Sequence, residues 1–117
     1  MPEVIATPTS IPVPGGKTIE EFVGRASSGD EAVSVAHMRA PAGWDEPFQQ
    51  PRFDEFTLVL EGELLVDCDD ATIAVAAGQA IITRAGERIR YRTDQGARYV
   101  AVCLPAFGIE LAGREDD

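Results

Sequence analysis

The chain has one histidine, one tryptophan and two cysteines in 117 residues. The first count excludes a metal centre built on several imidazoles. Two cysteines with no export signal ahead of them read as reduced thiols, not as a disulfide framework. Basic residues are scarce, 10 against 20 acidic, for a formal net charge of −10. Nucleic acid is therefore a poor partner, because neutralising phosphates takes clustered Lys and Arg. An anionic membrane surface is excluded on the same ground. Long apolar runs are also missing. The longest, residues 74–77 and 100–104, fall far short of the roughly 20 residues that span a bilayer as a helix. The N-terminus shows no basic segment followed by an apolar one, so the expected location is the cytoplasm. What is abundant is apolar content, 44%, too much for a disordered acidic chain. One small domain is expected.

Residues 1–16 carry Pro2, Pro8, Pro12 and Pro14, then Gly15-Gly16. Proline fixes φ and removes a donor, so this segment reads as an extended arm, loose or laid along a sheet edge or partner subunit. Residues 112–117 read as a short charged tail, expected to fray. Between them, turn signals recur every 8–12 residues or so: Ser28-Gly29-Asp30, Pro41-Ala42-Gly43, Glu61-Gly62, residues 67–70, Ala77-Gly78, Ala85-Gly86 and Asp94-Gln95-Gly96. The intervening stretches, 19–24, 32–39, 56–60, 63–66, 72–75, 80–83, 88–93 and 98–104, are rich in Val, Ile, Thr, Phe and Tyr. Short strands at this spacing predict an all-β sandwich or barrel over residues 17–111. Gly16-Lys17-Thr18 is not a phosphate loop, because such a loop needs glycine at position 11 and the chain has Ile11. The triplet reads as a flexible entry to the first strand.

A spaced constellation runs through Gly43, Gln49, Pro51, Glu55 and Gly62, and a second through Gly78, Arg84, Gly86 and Ile89. These resemble the two conserved motifs of the cupin family. The branch they look most like is the ethanolamine-utilisation EutQ proteins and small single-domain bacterial relatives. Phe53-Asp54-Glu55, Val59-Leu60-Glu61-Gly62, Trp44, Glu46-Pro47 and Leu104-Pro105-Ala106-Phe107 carry that likeness. The resemblance implies a cupin-type antiparallel jelly-roll barrel. It also implies that the usual metal ligands, three His and one Glu, fall on Gln49, Pro51, Ile89 and Glu55. Three of the four are changed, so no metal and no other cofactor is expected. An acetate-kinase-type activity attributed to the branch is discounted for this chain, which lacks a recognisable phosphate loop.

If Gln49 and Glu55 face the interior as their counterparts do, alternation brings Phe53, Thr57 and Val59 to the same side. Ile89 implies that Tyr91 points inward. The candidate ligand-binding residues are Gln49, Phe53, Thr57, Tyr91 and Trp44, the last at the barrel mouth. Glu55, buried without a metal, is a candidate general acid or base through a raised pKa, or else accepts hydrogen bonds from a barrel neighbour. His37 is the second candidate acid/base, should its strand present the face of Val33 and Val35 to the interior. Otherwise it is a structural or surface histidine. Arg88, Arg90 and Arg92 share the face opposite Tyr91, where acidic partners are expected. Cys68 and Cys103 read as packed thiols. Phe56, Leu58 and Leu60 make the outer face of their strand apolar, which predicts a homodimer to which the Pro-rich arm contributes.

The functional expectation is a metal-free cupin that binds a small, partly apolar metabolite inside the barrel. The competing expectation is a metal-independent isomerase, lyase or cyclase using Glu55 or His37.

Overall fold

The computed structural model describes residues 1–115. The expected fraying at Asp116 and Asp117 lies outside the described residues. Eight strands form in chain order: β1 (Thr9–Ile11), β2 (Thr18–Val23), β3 (Ser34–Ala40), β4 (Asp54–Asp67), β5 (Thr72–Ala76), β6 (Ala80–Thr83), β7 (Arg90–Arg92) and β8 (Ala97–Leu104). A single 3-10 turn, Ile109–Leu111, follows. All pairings are antiparallel, in the order β1-β2-β3-β8-β4-β5, with β6 and β7 also pairing β4. The architecture is the antiparallel jelly-roll barrel that the resemblance implies and with which the strand spacing agrees. Among the described residues no helix is long and apolar enough to cross a membrane.

β4 organises the molecule. Its first half, from Asp54 to Leu58, pairs with β6 and β8, and its second half, from Glu63 to Asp67, pairs with β5 and β7. The sequence suggests a turn at Glu61-Gly62. The structure instead has one 14-residue strand with a register shift between Val59 and Glu61. A bulge bends a strand without ending it, so one strand serves both sheets. Gly62 makes this possible: its φ is +75° and a Cβ there would stand 2.1 Å from the Gly96 carbonyl oxygen.

The arm and tail are more integrated than their composition suggests. Residues 9–11 pair with β2 through Thr9↔Glu21 and Ile11↔Ile19. The expected tail folds back: Ala112 is fully buried, and the Glu115 N–H donates to the Phe48 carbonyl at 2.9 Å. Gly113 allows this approach, since a Cβ there would lie 2.3 Å from the Gln50 carbonyl oxygen.

Alternation then fixes what faces inward. The apolar core gathers Trp44, Val59, Leu64, Val66, Val75, Ile89, Tyr91 and Tyr99, with Ala40 and Ala97 at its β3–β8 side. Elsewhere the inward positions are small. Ala36 of β3 stands opposite Ala101 of β8, and Ala40 opposite Ala97. Side by side on paired strands of one sheet, these methyl groups reach only a short way into the space between sheets about 10 Å apart. A cavity remains beside Ala36 and Ala101.

Candidate functional site

The cavity amounts to about 40 Å³, room for the centres of a few water-sized molecules. Its apolar walls come from Ile19, Ala36, Met38, Phe53, Ala101 and Phe107. Phe53 and Phe107 meet edge to face with ring centroids 5.9 Å apart. The polar groups come from separate elements: Lys17 ahead of β2, Glu46 and Gln49 from the loop before β4, Glu55 from β4, Tyr91 from β7, Tyr99 from β8, and Arg114 from the C-terminal segment.

Gln49, Phe53, Glu55 and Tyr91 all line the cavity, Gln49 and Glu55 as the resemblance implies and Phe53 and Tyr91 on the phase that follows from it. Gln49 sits in an isolated bridge with Ile89, which joins the two motif segments across the barrel. Its Nε2 donates to Glu46 Oε1 at 2.8 Å. The Tyr91 hydroxyl pairs with Thr83 Oγ1 at 2.9 Å. Thr57 shares the inner face and is 1% exposed, but it lies further along β4, outside the cavity wall. Trp44 is buried and lines a neighbouring cavity with Lys17, Glu46 and Arg114.

His37 does not reach the site. Ser34, Ala36 and Met38 are the β3 residues on the cavity wall, so a residue between them points to the outside. There Nδ1 lies 3.2 Å from Glu20 Oε1 and Nε2 3.2 Å from Arg98 Nη1. An Arg can only donate, so Nε2 accepts from Arg98 and Nδ1–H donates to Glu20. This is a structural bridge across β2, β3 and β8, and it corrects the assignment of His37 as an acid/base. Val33 and Val35 share that outer face.

The electrostatics set Glu55 apart. Burial, followed by the nearby Glu46 carboxyl, pushes the Glu55 carboxyl up to about 7, against the pull of Lys17 and the Tyr91 hydroxyl. Burial raises Glu46 as well, opposed by Lys17 and Arg114. Desolvation lowers Lys17, opposed by Glu46 and Glu55. The Lys17 ammonium lies 4.3 Å from the Trp44 ring centroid and 5.3 Å from that of Tyr99, a cation–π setting. Cys103 lines the cavity, but burial and the Glu55 charge hold its thiol far above the ordinary range. It is therefore not a thiolate nucleophile.

The metal that the resemblance brings to mind does not fit these residues. Of the four positions, only Glu55 offers a ligand of suitable chemistry. Gln49 directs its amide to Glu46, and Pro51 and Ile89 have no donor. Lys17 and Arg114 on the same wall oppose a further cation. Among the described residues, no group of three or more His, Cys, Asp or Glu is placed to hold a metal ion.

Lys17, Glu46, Tyr99 and Arg114 also line the cavity, beyond the candidates named from the sequence. Tyr99 is accessible from the sequence, since it alternates with Ala97, Ala101 and Cys103 on β8. The other three lie in irregular segments, where no periodicity tells which way a side chain points.

A family model described as "Cupin domain" matches residues 36–103. A curated relative, endoribonuclease YbeY of Myxococcus xanthus, is 48% identical over 107 residues. That match covers 90% of this chain and 36% of the relative, so the chain spans about a third of the relative's length. The structure of an ethanolamine utilization protein (EutQ) from Salmonella typhimurium is 27% identical, with a TM-score of 0.63, covering 78% of this chain and 71% of that one. An oxalate decarboxylase variant from Bacillus subtilis superposes with a TM-score of 0.79 at 15% identity, over 94% of this chain and 31% of that one. At that identity the likeness is one of fold.

Proposed function

The chain belongs to the cupin family, and we propose that this member binds a small, partly apolar metabolite inside its barrel without a metal ion. The observation that carries the proposal is the cavity, where Gln49, Glu55 and Tyr91 converge on walls of Phe53, Phe107 and alanine. A concave apolar pocket with a few convergent polar groups is how small-molecule sites are built. Fold by itself does not give function, so the argument rests on the site.

The test is a panel of small carbonyl, carboxyl and ring metabolites read by NMR chemical shifts. Ligands are expected to perturb Gln49, Phe53, Glu55 and Tyr91, and Phe53→Leu is expected to weaken them about tenfold. Ligands that perturb only residues outside the cavity overturn the reading.

A second reading follows from the Glu55 carboxyl at about 7. A group poised near the working pH is a usable general acid or base. The chain is then a metal-independent isomerase, lyase or cyclase, and Glu55→Gln abolishes turnover while sparing binding. His37 has no part in it, being on the outer face.

The RNA cleavage in the Myxococcus relative's name does not extend to this chain in our reading. A net charge of −10 opposes a polyanion, and most of that relative lies outside the match.

The outer face of β4, β6 and β8 supports a homodimer. Phe56 stands between Ile82 and Val102, and Leu58 next to Val100, with Leu58, Ile82 and Leu104 about half exposed. A largely apolar face can meet its own copy about a twofold axis, and the charge on it, Arg84 over the Phe56 ring at 5.6 Å, is already paired with Asp54. Light scattering at micromolar concentration is expected to give twice the chain mass, and Leu58→Glu half of that.

A further inference from the structure

The hydrogen-bonding inventory of the cavity is lopsided. On the acceptor side, Glu46 is engaged by Gln49 at 2.8 Å and by Arg114 Nη2 at 3.6 Å. Glu21, at the far side, accepts from the Ala26 and Ser27 N–H groups and the Ser27 hydroxyl, each at 3.0 Å. On the donor side, three groups are spare. The Tyr99 hydroxyl and Arg114 Nε are buried without a partner, and Tyr99 is only 2% exposed. Among the described residues, Lys17 has no carboxylate within ion-pair distance. Its closest recorded contacts are the faces of Trp44 and Tyr99. All three residues line the same cavity.

Buried donors without acceptors are costly, each by about 1–3 kcal/mol. Of the cavity's carboxyls, Glu21 and Glu46 are engaged and Glu55 is not within ion-pair distance of Lys17 or Arg114, so these donors are open to an acceptor from a ligand. A cationic ligand would meet Lys17 and Arg114 unfavourably, and a neutral one would leave the ammonium without a counter-charge.

We propose that the cavity is an anion site whose ligand is a small carboxylate, paired with the Lys17 ammonium and hydrogen-bonded by the Tyr99 hydroxyl and Arg114 Nε. Phe53, Phe107 and Ala101 take the hydrocarbon part of the ligand. The proposal rests on the cavity being the binding site, as read above. It adds the ligand's charge and the residues that select it. The groups facing Lys17 are Glu46, Glu55 and Arg114. Glu55, whose burial pushes its carboxyl up to about 7, is about half protonated at pH 7, and in that form it is a fourth donor to the ligand.

The experiment titrates monocarboxylates from acetate to benzoate, each against its own primary amide, into the full chain at pH 7. At least tenfold tighter binding of the acid is expected for the best-fitting pair. Lys17→Met is expected to abolish that preference, Lys17→Arg to retain most of it, and Tyr99→Phe to weaken the acid a fewfold. Circular dichroism confirms that each variant is folded, and the arginine variant keeps the test informative should methionine disturb the barrel. Equal binding of acid and amide, or a preference that survives Lys17→Met, overturns the anion assignment and leaves cavity binding standing. If neither acid nor amide perturbs the cavity while other compounds do, the anion assignment alone falls. If no compound of the wider panel perturbs it, the cavity reading falls with it.

Discussion

Glu55 and Asp67 stand near opposite ends of β4, both under a tenth exposed, and the fold treats them in opposite ways. Asp67 is fully partnered. Its carboxylate accepts from Arg90 Nε at 2.9 Å, from Arg92 Nε at 2.8 Å and from the Thr72 hydroxyl at 2.6 Å. The Arg92 bonds first, then Thr72 and Arg90, hold its carboxyl far below the usual range against the cost of burial. Arg88 extends the same face, bonding Glu115 through Nη2 at 2.8 Å. Glu55 instead faces apolar walls and another carboxyl. A charge surrounded by its partners is part of the scaffold, whereas one kept in reserve inside a cavity is available to a ligand.

The contrast depends on β4 passing through both sheets, and Gly62 is where it is most easily broken. Gly62→Ala places a methyl group against the Gly96 carbonyl at a φ of +75°. The strain and backbone displacement are expected to cost more than about 3 kcal/mol in urea unfolding. Loss of the bulge would also pull Glu55 and Asp67 out of register with each other. A variant as stable as the parent would show that the bulge is incidental.

The two carboxyls also predict opposite pH dependences. Glu55 is raised from 4.5 to about 7 in the folded state, so the native protein binds the extra proton between those values. Its burial is therefore harmless below about pH 4.5, and stability falls as pH rises from there through about 7 and then levels off. At 1.36 kcal/mol per unit the shift corresponds to on the order of 3 kcal/mol. Glu46, Lys17, Tyr91, Tyr99 and Cys103 are the titratable groups around it. Glu55→Gln is thus expected to be up to about 3 kcal/mol more stable than the parent at pH 8 and equal to it near pH 4.5. Asp67→Asn behaves in the reverse sense. The depressed pKa of Asp67 gives stability that is present above the ordinary Asp range and lost as pH falls below it. With Arg90 and Arg92 about a third exposed, its loss is expected to cost about 2 kcal/mol at pH 7 and progressively less as pH falls through the acid range, with part of the effect still present at pH 2. Urea titrations at these pH values decide both.

Much of this was legible in the sequence because strands alternate. Turn residues mark most strand ends, and inward Phe53 and Tyr91 follow from the period of two once the resemblance places Glu55 and Ile89 inside. His37 turns on phase: one residue's offset from Ala36 carries its side chain to the other face, which selects the structural alternative. Glu61-Gly62 looked like a turn because glycine with positive φ serves turns and bulges alike, and only the partner strand distinguishes them. Lys17 and Arg114 come from the arm and the tail, nearly the whole chain apart. Their meeting depends on β1 pairing with β2 and on Gly113 folding back over Gln50, long-range events with no local signature.

The smallest expected effect concerns two threonines that the same strand pair sets apart. Thr72 gives its hydroxyl to Asp67, while the Thr57 hydroxyl is buried without a partner. Valine has nearly the same shape, so Thr→Val removes the hydroxyl and little else. At Thr57 it removes an unpaired polar group and is expected to stabilise the chain by about 1 kcal/mol, whereas at Thr72 it breaks a bond to a charge and costs about 1 kcal/mol. Because Thr57 lies outside the cavity wall, Thr57→Val should leave the affinity for a cavity ligand unchanged. A stabilised variant with full affinity assigns Thr57 to the core. A tenfold loss of affinity would instead place its hydroxyl on the ligand, as alternation along β4 first suggests, and would extend the binding site toward the bulge.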